Sequence, residues 1–258
     1  MPRNDRPRSQ TVYDLLIAKA AQHASLSPAD EAALRSVPFQ LRKTLPGEDI
    51  VRQGERPEVA VFVQNGMLAR YHLLPNGDRQ YLSFHYRTDM PDLQSLFLKM
   101  MDFSLCSIDH AEVVLLQHER LREVFLDHSG VAIAFWRMTL VDAAIFRQAI
   151  TNNSARNPAT RLAHFCCEQF VRMREVGKTE GASCKLPLSQ VQLSQALGIS
   201  HISVNRALQR LRKDGLIELR GGKLAIFNWP ALVRVAEFDS TYLYGAKKSV
   251  VRKLPKQE

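Results

Sequence analysis

LPLSQVQLSQALGISHISVNRALQRLRKDGLIELRGGKLAIF, residues Leu186–Phe227, reads as two short helices followed by a hairpin. Ser189 and Gln192 have the S-x-x-Q spacing of a capping box, in which each side chain satisfies a backbone N–H left unpaired at a helix start. Val191, Leu193 and Leu197 supply apolar positions, and Gly198 offers the left-handed conformation that ends a helix. Ser200 caps the second helix, where Val204, Ala207, Leu208 and Leu211 recur on one side as a core-facing stripe. At about 100° per residue, Ile202, Arg206, Gln209 and Lys213 point the opposite way, with Asn205 on the flank. That is the layout of a helix-turn-helix. Leu216–Leu219 and Leu224–Phe227 then flank Arg220-Gly221-Gly222-Lys223, whose Gly pair suits the positive φ of a primed turn, and the hairpin reads as a wing.

An amphipathic helix pair alone also suits a protein-docking domain; the charge distribution favours DNA. Of the 35 Lys+Arg and 26 Asp+Glu, residues 1–155 carry 17 and 18, a balance of −1, and residues 156–258 carry 18 and 8, a balance of +10. Asymmetry of this kind points to a polyanionic partner for the second half. The chain is long enough, at 258 residues, for two modest domains, and its 45% hydrophobic and 24% charged content is that of a soluble globular protein. Cys106, Cys166, Cys167 and Cys184 make no C-x-x-C pair and no disulfide framework, which predicts a reduced, cytoplasmic protein without a metal site. The first ten residues are polar and basic, no apolar run approaches the roughly 18 residues of a membrane span, and no membrane partner is expected.

Taken in order, residues 1–10 read as loose and 11–36 as an N-terminal helical segment, with Ser27-Pro28 and Glu31 opening its second helix as a capping box. From Phe39 the period changes to two. Strands are predicted at Phe39–Leu45, Asp49–Gln53, Val59–Gln64, Met67–Leu74, Arg79–Tyr86 and near Ala111–Leu116, with Pro and Gly at the corners. Short, evenly spaced strands of this kind imply an antiparallel β-roll of jelly-roll type over residues 37–129. Leu121, Val124 and Phe125 make a short helix. A long helix spans about 131–151, within a hinge region 130–155. On it Val131, Ala134, Met138, Val141, Ile145 and Gln148 follow three- and four-residue steps, close to a heptad seam. So short a seam also suits an intramolecular core; its place between two domains favours a dimer interface. Asn157 and Pro158 open a DNA-binding domain over 156–240, with a helix at 158–175 and a polar loop at Gly177–Ser183. Residues 241–258 read as a disordered basic tail. The fold class is α+β.

A β-roll, a long helix and a winged helix-turn-helix together resemble the Crp/Fnr family of bacterial transcription regulators. Leu45-Pro46-Gly47-Glu48, Gln53-Gly54-Glu55 and Phe62-Val63-Gln64-Asn65-Gly66 resemble the family's glycine-marked roll. Gly198-Ile199-Ser200-His201-Ile202-Ser203-Val204-Asn205-Arg206 resembles its G-x-[ST]-x-x-[TS]-V-x-R signature. The resemblance covers about residues 40–230 and implies a homodimer that reads palindromic double-stranded DNA, with RNA polymerase as a candidate partner. It places the base-reading positions on His201, Ile202 and Arg206, with Asn205 adjacent. Arg206 has the donors for guanine O6 and N7, and Ile202 could meet only a thymine methyl. Ser200, Ser203 and Lys223 are phosphate candidates, which position without specifying.

In cyclic-nucleotide-binding relatives a G-E-L…R-[ST]-A cassette holds the phosphate. The resemblance puts Leu93 at the Glu position and Phe103 at the Arg position here. A buried phosphate dianion without an opposing cation is too costly, so cyclic AMP is not expected. Leu93, Phe97, Phe103 and Ser104 are the candidate lining of a pocket for an unknown small-molecule effector, the alternative being a regulator that needs none. The cysteine cluster of the iron–sulfur relatives is absent, and His72, His85 and His110 are the candidates for a haem; a lone His in a strand or loop is more often surface or core. No cofactor is therefore expected. Nor is an enzyme: His72, His85, His110 and His118 lack the spacing of a metal site, and there is no G-x-S-x-G and no P-loop.

Overall fold

The computed structural model describes residues 8–245. By packing the chain divides into two units, one formed by the residues up to Tyr71 with Phe84–Asp142, the other by His72–Ser83 with the chain from Ala143 on.

The first unit opens with α1 (Arg8–Ala21) and α2 (Pro28–Arg35). The capping box of α2 pairs Ser27 with Asp30, not with Glu31: Asp30 N donates to Ser27 Oγ at 3.2 Å and Ser27 N to Asp30 Oδ2 at 2.8 Å. Pro28 takes the first helical position, which puts the third at Asp30. Seven strands follow: β1 (Phe39–Thr44), β2 (Asp49–Val51), β3 (Val59–Asn65), β4 (Leu68–Leu73), β5 (Arg79–His85), β6 (Ser104–Ser107) and β7 (Ala111–Gln117). They form two antiparallel layers, β1-β7-β3 and β2-β6-β4-β5, in which Phe39 faces Leu116 and Phe62 faces Val114. At the β3–β4 corner Gly66 has φ 89°, and a Cβ there would stand 2.6 Å from that of Ala111, so this turn admits only glycine.

Next come α3 (His118–Asp127) and α4, a 27-residue helix from Ser129 to Ala155. The core of the roll gathers Phe62, Leu93, Leu96, Leu116 and Leu121 with Val12, Leu16 and Leu34, and takes in Val131, Ala134 and Phe135 of α4. The heptad seam read from the sequence is therefore partly misassigned. Val131 and Ala134 are fully buried in their own roll, Met138 packs against the same cluster, and Val141 and Ile145 are half-buried. A regular 3–4 spacing reports an apolar face, not what covers it. The expectation about apolar runs also changes, because α4 is long and apolar enough, with a mean hydropathy of 1.4, to cross a membrane by length and composition. Length and composition do not distinguish such a span from the core helix of a folded domain, and α4 places three of its apolar side chains in the roll and carries Arg137, Asp142 and Arg147.

In the second unit α5 (Pro158–Glu175) is capped by Asn157, whose Oδ1 accepts from Ala159 N and Thr160 N, both at 3.1 Å. Residues 177–183, expected to be loop, contribute instead β8 (Thr179–Glu180) and the start of β9 (Ser183–Lys185). After α6 (Gln190–Leu197) and α7 (His201–Lys213), the hairpin β10 (Ile217–Arg220) and β11 (Lys223–Ile226) extends onto them in a sheet of order β10-β11-β9-β8. Gly221 and Gly222, at φ 57° and 72°, make the primed turn of that hairpin. Then come α8 (Trp229–Ala236) and a 3-10 turn, Ser240–Leu243. That turn is ordered, with Leu243 buried, so the tail does not begin at 241. The loose ends expected at 1–7 and 246–258 lie outside the described residues.

Candidate nucleic-acid interface

The recognition segment is set by its caps. Gln192 N donates to Ser189 Oγ at 3.1 Å and Ser189 N to Gln192 Oε1 at 2.9 Å, which completes the box at the start of α6. At its end Gly198 adopts φ 60°, ψ 38°, the left-handed conformation open to glycine. Ser203 N then donates to Ser200 Oγ at 3.1 Å, and the two serine hydroxyls lie 2.9 Å apart, so only one hydroxyl proton of the pair is left for a phosphate. The far end of α6 is held by two side chains: Arg161 Nη1 donates to Leu197 O at 2.8 Å and Asn153 Nδ2 to Ala196 O at 3.0 Å. These bonds tie the carbonyl end of α6 to α5 and to the last turns of α4.

On α7 the buried set is Val204, Ala207, Leu208 and Leu211, packed against α5 and α6. Ile202, Arg206, Gln209 and Lys213 are exposed, and with about 3.6 residues per turn they fall within an arc of about 60°. Ile202, 65% exposed, is an aliphatic side chain left in water in the middle of that arc. None of Arg206, Gln209 or Lys213 makes a side-chain hydrogen bond or ion pair with another described residue, and Arg210 has only a 3.9 Å approach to Asp214. His201 is exposed but lies outside the arc, and Asn205 sits on its edge with Nδ2 3.5 Å from Gln190 Oε1. Lys223 faces Glu180 at 3.8 Å, so part of its charge is already matched within the wing sheet.

Sequence reasoning missed the flank of this face. Arg212 and Arg220, with Ser189, Gln190 and the two wing glycines, line a groove of about 460 Å³ between α6, α7 and the hairpin. Arg212 lies about 120° from Arg206, a phase that reads as neither core nor recognition face. Behind the interface, burial lowers His164 of α5 to about 4, with Arg156 adding to the effect. The ring is thus neutral at pH 7, with Nδ1 3.2 Å from Ala236 O, while Tyr242 OH donates to Glu168 Oε2 at 2.8 Å. These contacts dock α8 and the terminal turn on α5.

In the roll the residues named for an effector pocket do not line one space. Leu93 belongs to the hydrophobic core, and Ser104 Oγ accepts from Gln53 N at 3.0 Å. Phe97 points outward, 52% exposed, with its ring 4.8 Å from that of Phe125. The correction has a simple cause: the 3-10 turn Leu93–Leu96 buries Leu93 and Leu96 and leaves the next residue outside. Phe103 is buried, and its ring lies 4.9 Å beneath the guanidinium of Arg70, a β4 residue that the sequence did not single out. No group of His, Cys, Asp and Glu able to hold a metal ion occurs among the described residues, and His85 is buried 3.8 Å from Asp89.

Comparison with known proteins adds two family models, a cyclic nucleotide-binding domain over residues 41–128 and a Crp-like helix-turn-helix domain over residues 160–235. The chain is 23% identical over 212 residues to the transcriptional activator protein FnrA of Stutzerimonas stutzeri, covering 82% of this chain and 86% of that one. It is 25% identical over 195 residues to the nitrogen fixation regulation protein FixK of Rhizobium meliloti, covering 73% and 83%. Among solved structures, FixK2 from Bradyrhizobium japonicum superposes with a TM-score of 0.70 at 22% identity, over 77% of this chain and 97% of that one.

Proposed function

The chain belongs to the Crp/Fnr family of transcription regulators, and from that premise we propose a dimer whose two copies of α7 enter the major groove of a palindromic operator. The observation that carries the reading is the stripe Ile202, Arg206, Gln209, Lys213: three polar or cationic side chains and one isoleucine, exposed and without a side-chain partner among the described residues, on a helix whose opposite side is core. Arg206 takes guanine O6 and N7, and Ile202 meets a thymine methyl. Ser200, Ser203, Lys213 and Lys223 take phosphates, and His201, Asn205 and Gln209 lie at the edge of the base contacts. The protein works in the cytoplasm, and RNA polymerase is the machinery it addresses from the operator.

The second copy docks on the other side of α4. Ile133, Trp136, Leu140 and Ile150 are all exposed, Trp136 at 61%, and follow the same 3–4 spacing two residues on from Val131, Ala134, Met138 and Gln148. Two residues is about 200° of helix, the opposite face. Covering it removes large apolar side chains from water at roughly 1.5–3 kcal/mol each. Sedimentation of wild type and Trp136→Glu checks this: a monomeric variant is expected, and an unchanged dimer would move the interface elsewhere.

The roll does not take cyclic AMP, because Leu93 and Phe103 stand where the resemblance places the groups that hold it, and both are buried. The deciding experiment is selection of duplexes by the purified protein from a random pool, followed by gel-shift titration. Arg206→Ala is expected to lose the preference for one guanine per half-site. Retention of both affinity and preference would overturn the assignment.

A further inference from the structure

Arg70 is the roll's buried cation. Its side chain is 3% exposed and its Nη1 lies 2.6 Å from Asp142 Oδ2 on α4. Its Nε donates to Pro91 O at 2.5 Å, and its face covers Phe103. The next residue, Asp92, is fully buried beside it, with Oδ1 accepting from Val61 N at 2.8 Å and Oδ2 without a hydrogen-bond partner among the described residues. One guanidinium thus joins strand β4, the loop ahead of the 3-10 turn, and α4.

The position on α4 matters. The core cluster holds the helix at Val131, Ala134 and Phe135, with Met138 packed on its edge, and takes in no later residue of α4. Asp142 lies seven residues beyond Phe135, about 10 Å further along the axis. Ala144, two residues further on, is buried outside that cluster, so the ion pair adds a charged anchor to α4 beyond its packing in the roll's core, on a helix that continues unbroken to Ala155.

We propose that Asp142 is the resident anion of this roll: its carboxylate occupies the cation that an anionic effector would need, and so locks α4 in the DNA-binding arrangement without any small molecule. The inference rests on the reading of the chain as an operator-binding regulator. A free phosphate or carboxylate would have to displace an anion tethered to the same chain, hence present at high effective concentration, and would leave Asp142 unmatched. A ligand shifts such an equilibrium only by binding one arrangement better, and here an internal group already supplies the bias.

The test uses the full chain, purified and dialysed free of small molecules, and a duplex selected by the wild type. Wild type is expected to bind that duplex unaided, with affinity unchanged by millimolar cyclic AMP or cyclic GMP. Asp142→Asn, a substitution at a partly exposed site, is expected to lose about tenfold in operator affinity, a typical coupling energy, while binding to a scrambled duplex stays within about twofold. Asp142→Glu, which keeps the charge, is expected to lose much less. The proposal is overturned if wild type selects a duplex only after a nucleotide is added, if Asp142→Asn binds like wild type, or if the Asn and Glu variants lose equally. Failure of the underlying reading looks different: wild type would then select no duplex, or Arg206→Ala would select the same one.

Discussion

Arg70 lies almost wholly out of water between a carboxylate, a carbonyl and an aromatic face, whereas Arg206 stands exposed on α7 and pairs with no described side chain. The same guanidinium thus serves two purposes. In the roll its donors are spent on its own chain, and desolvation makes each of those bonds obligatory. On α7 its five donors are held ready by a rigid, capped helix, and solvent meets them until something else does. Matched charge is structure and unmatched charge is an interface, a distinction that net charge alone does not make.

The sharpest way to break this contrast is to remove each arginine and compare stabilities. Arg70→Ala leaves Asp142 and Pro91 O without their donor and should destabilise the protein by about 3–5 kcal/mol in urea unfolding. Arg206→Ala should change stability by less than about 0.5 kcal/mol, as surface substitutions do. Equal losses would mean that Arg206 is structural too.

Next in size is the pH dependence set beside Arg70. Burial raises Asp92 to about 7 from an ordinary 3.8, against the opposing pull of its bond from Val61 and of the Arg70 charge. The folded protein therefore favours the protonated acid: this contribution to stability is complete below about pH 4 and is lost as pH rises to about 7. Asp92→Asn keeps the acceptor for Val61 N and removes the charge. Its stability relative to wild type should rise with pH across that window by up to about 4 kcal/mol, and any constant cost of the buried amide cancels from the slope. A flat difference between pH 4 and pH 8 would show that Asp92 titrates normally. Smaller again is the effect of Arg206→Ala on binding: about 1–3 kcal/mol at one guanine, with other positions of the operator unaffected.

The second unit was far more legible in the sequence than the first. Ser189, Gly198, Ser200 and the Gly221-Gly222 turn are local signals, each set by a backbone conformation or an unpaired N–H within four residues. The structure agrees with them, including the bounds of α5 at Pro158–Glu175. What escaped was non-local. Strand β6 is buried at all four positions and so shows no alternation, and of the short strands β9 exists by pairing with the wing and β8 by pairing with β9. Arg70 looked like any strand arginine, because its partner Asp142 is 72 residues away. The seam on α4 is periodic as expected, but its first part, Val131, Ala134 and Met138, is covered by the roll of the same chain. Phe97 reads as an aromatic of the pocket lining, but the 3-10 turn that buries Leu93 and Leu96 leaves it exposed.

The smallest expected effect separates two lysines of the same interface. Lys213 is exposed at the end of α7 and has no ion-pair partner among the described residues, while Lys223 stands 3.8 Å from Glu180. A lysine that meets a phosphate releases about one condensed counterion, so Lys213→Ala should weaken binding to all duplexes alike and reduce the slope of log affinity against log salt by about 0.9. Lys223 must first loosen its hold on Glu180, which already supplies part of the neutralisation. Lys223→Ala should therefore reduce the slope by less, and Glu180→Gln should increase affinity slightly at low salt. Titrations at several salt concentrations measure all three. If Lys223 turned out to carry the larger slope, the wing would grip the backbone more tightly than the end of the recognition helix, and an internal ion pair would no longer predict which cations the DNA feels.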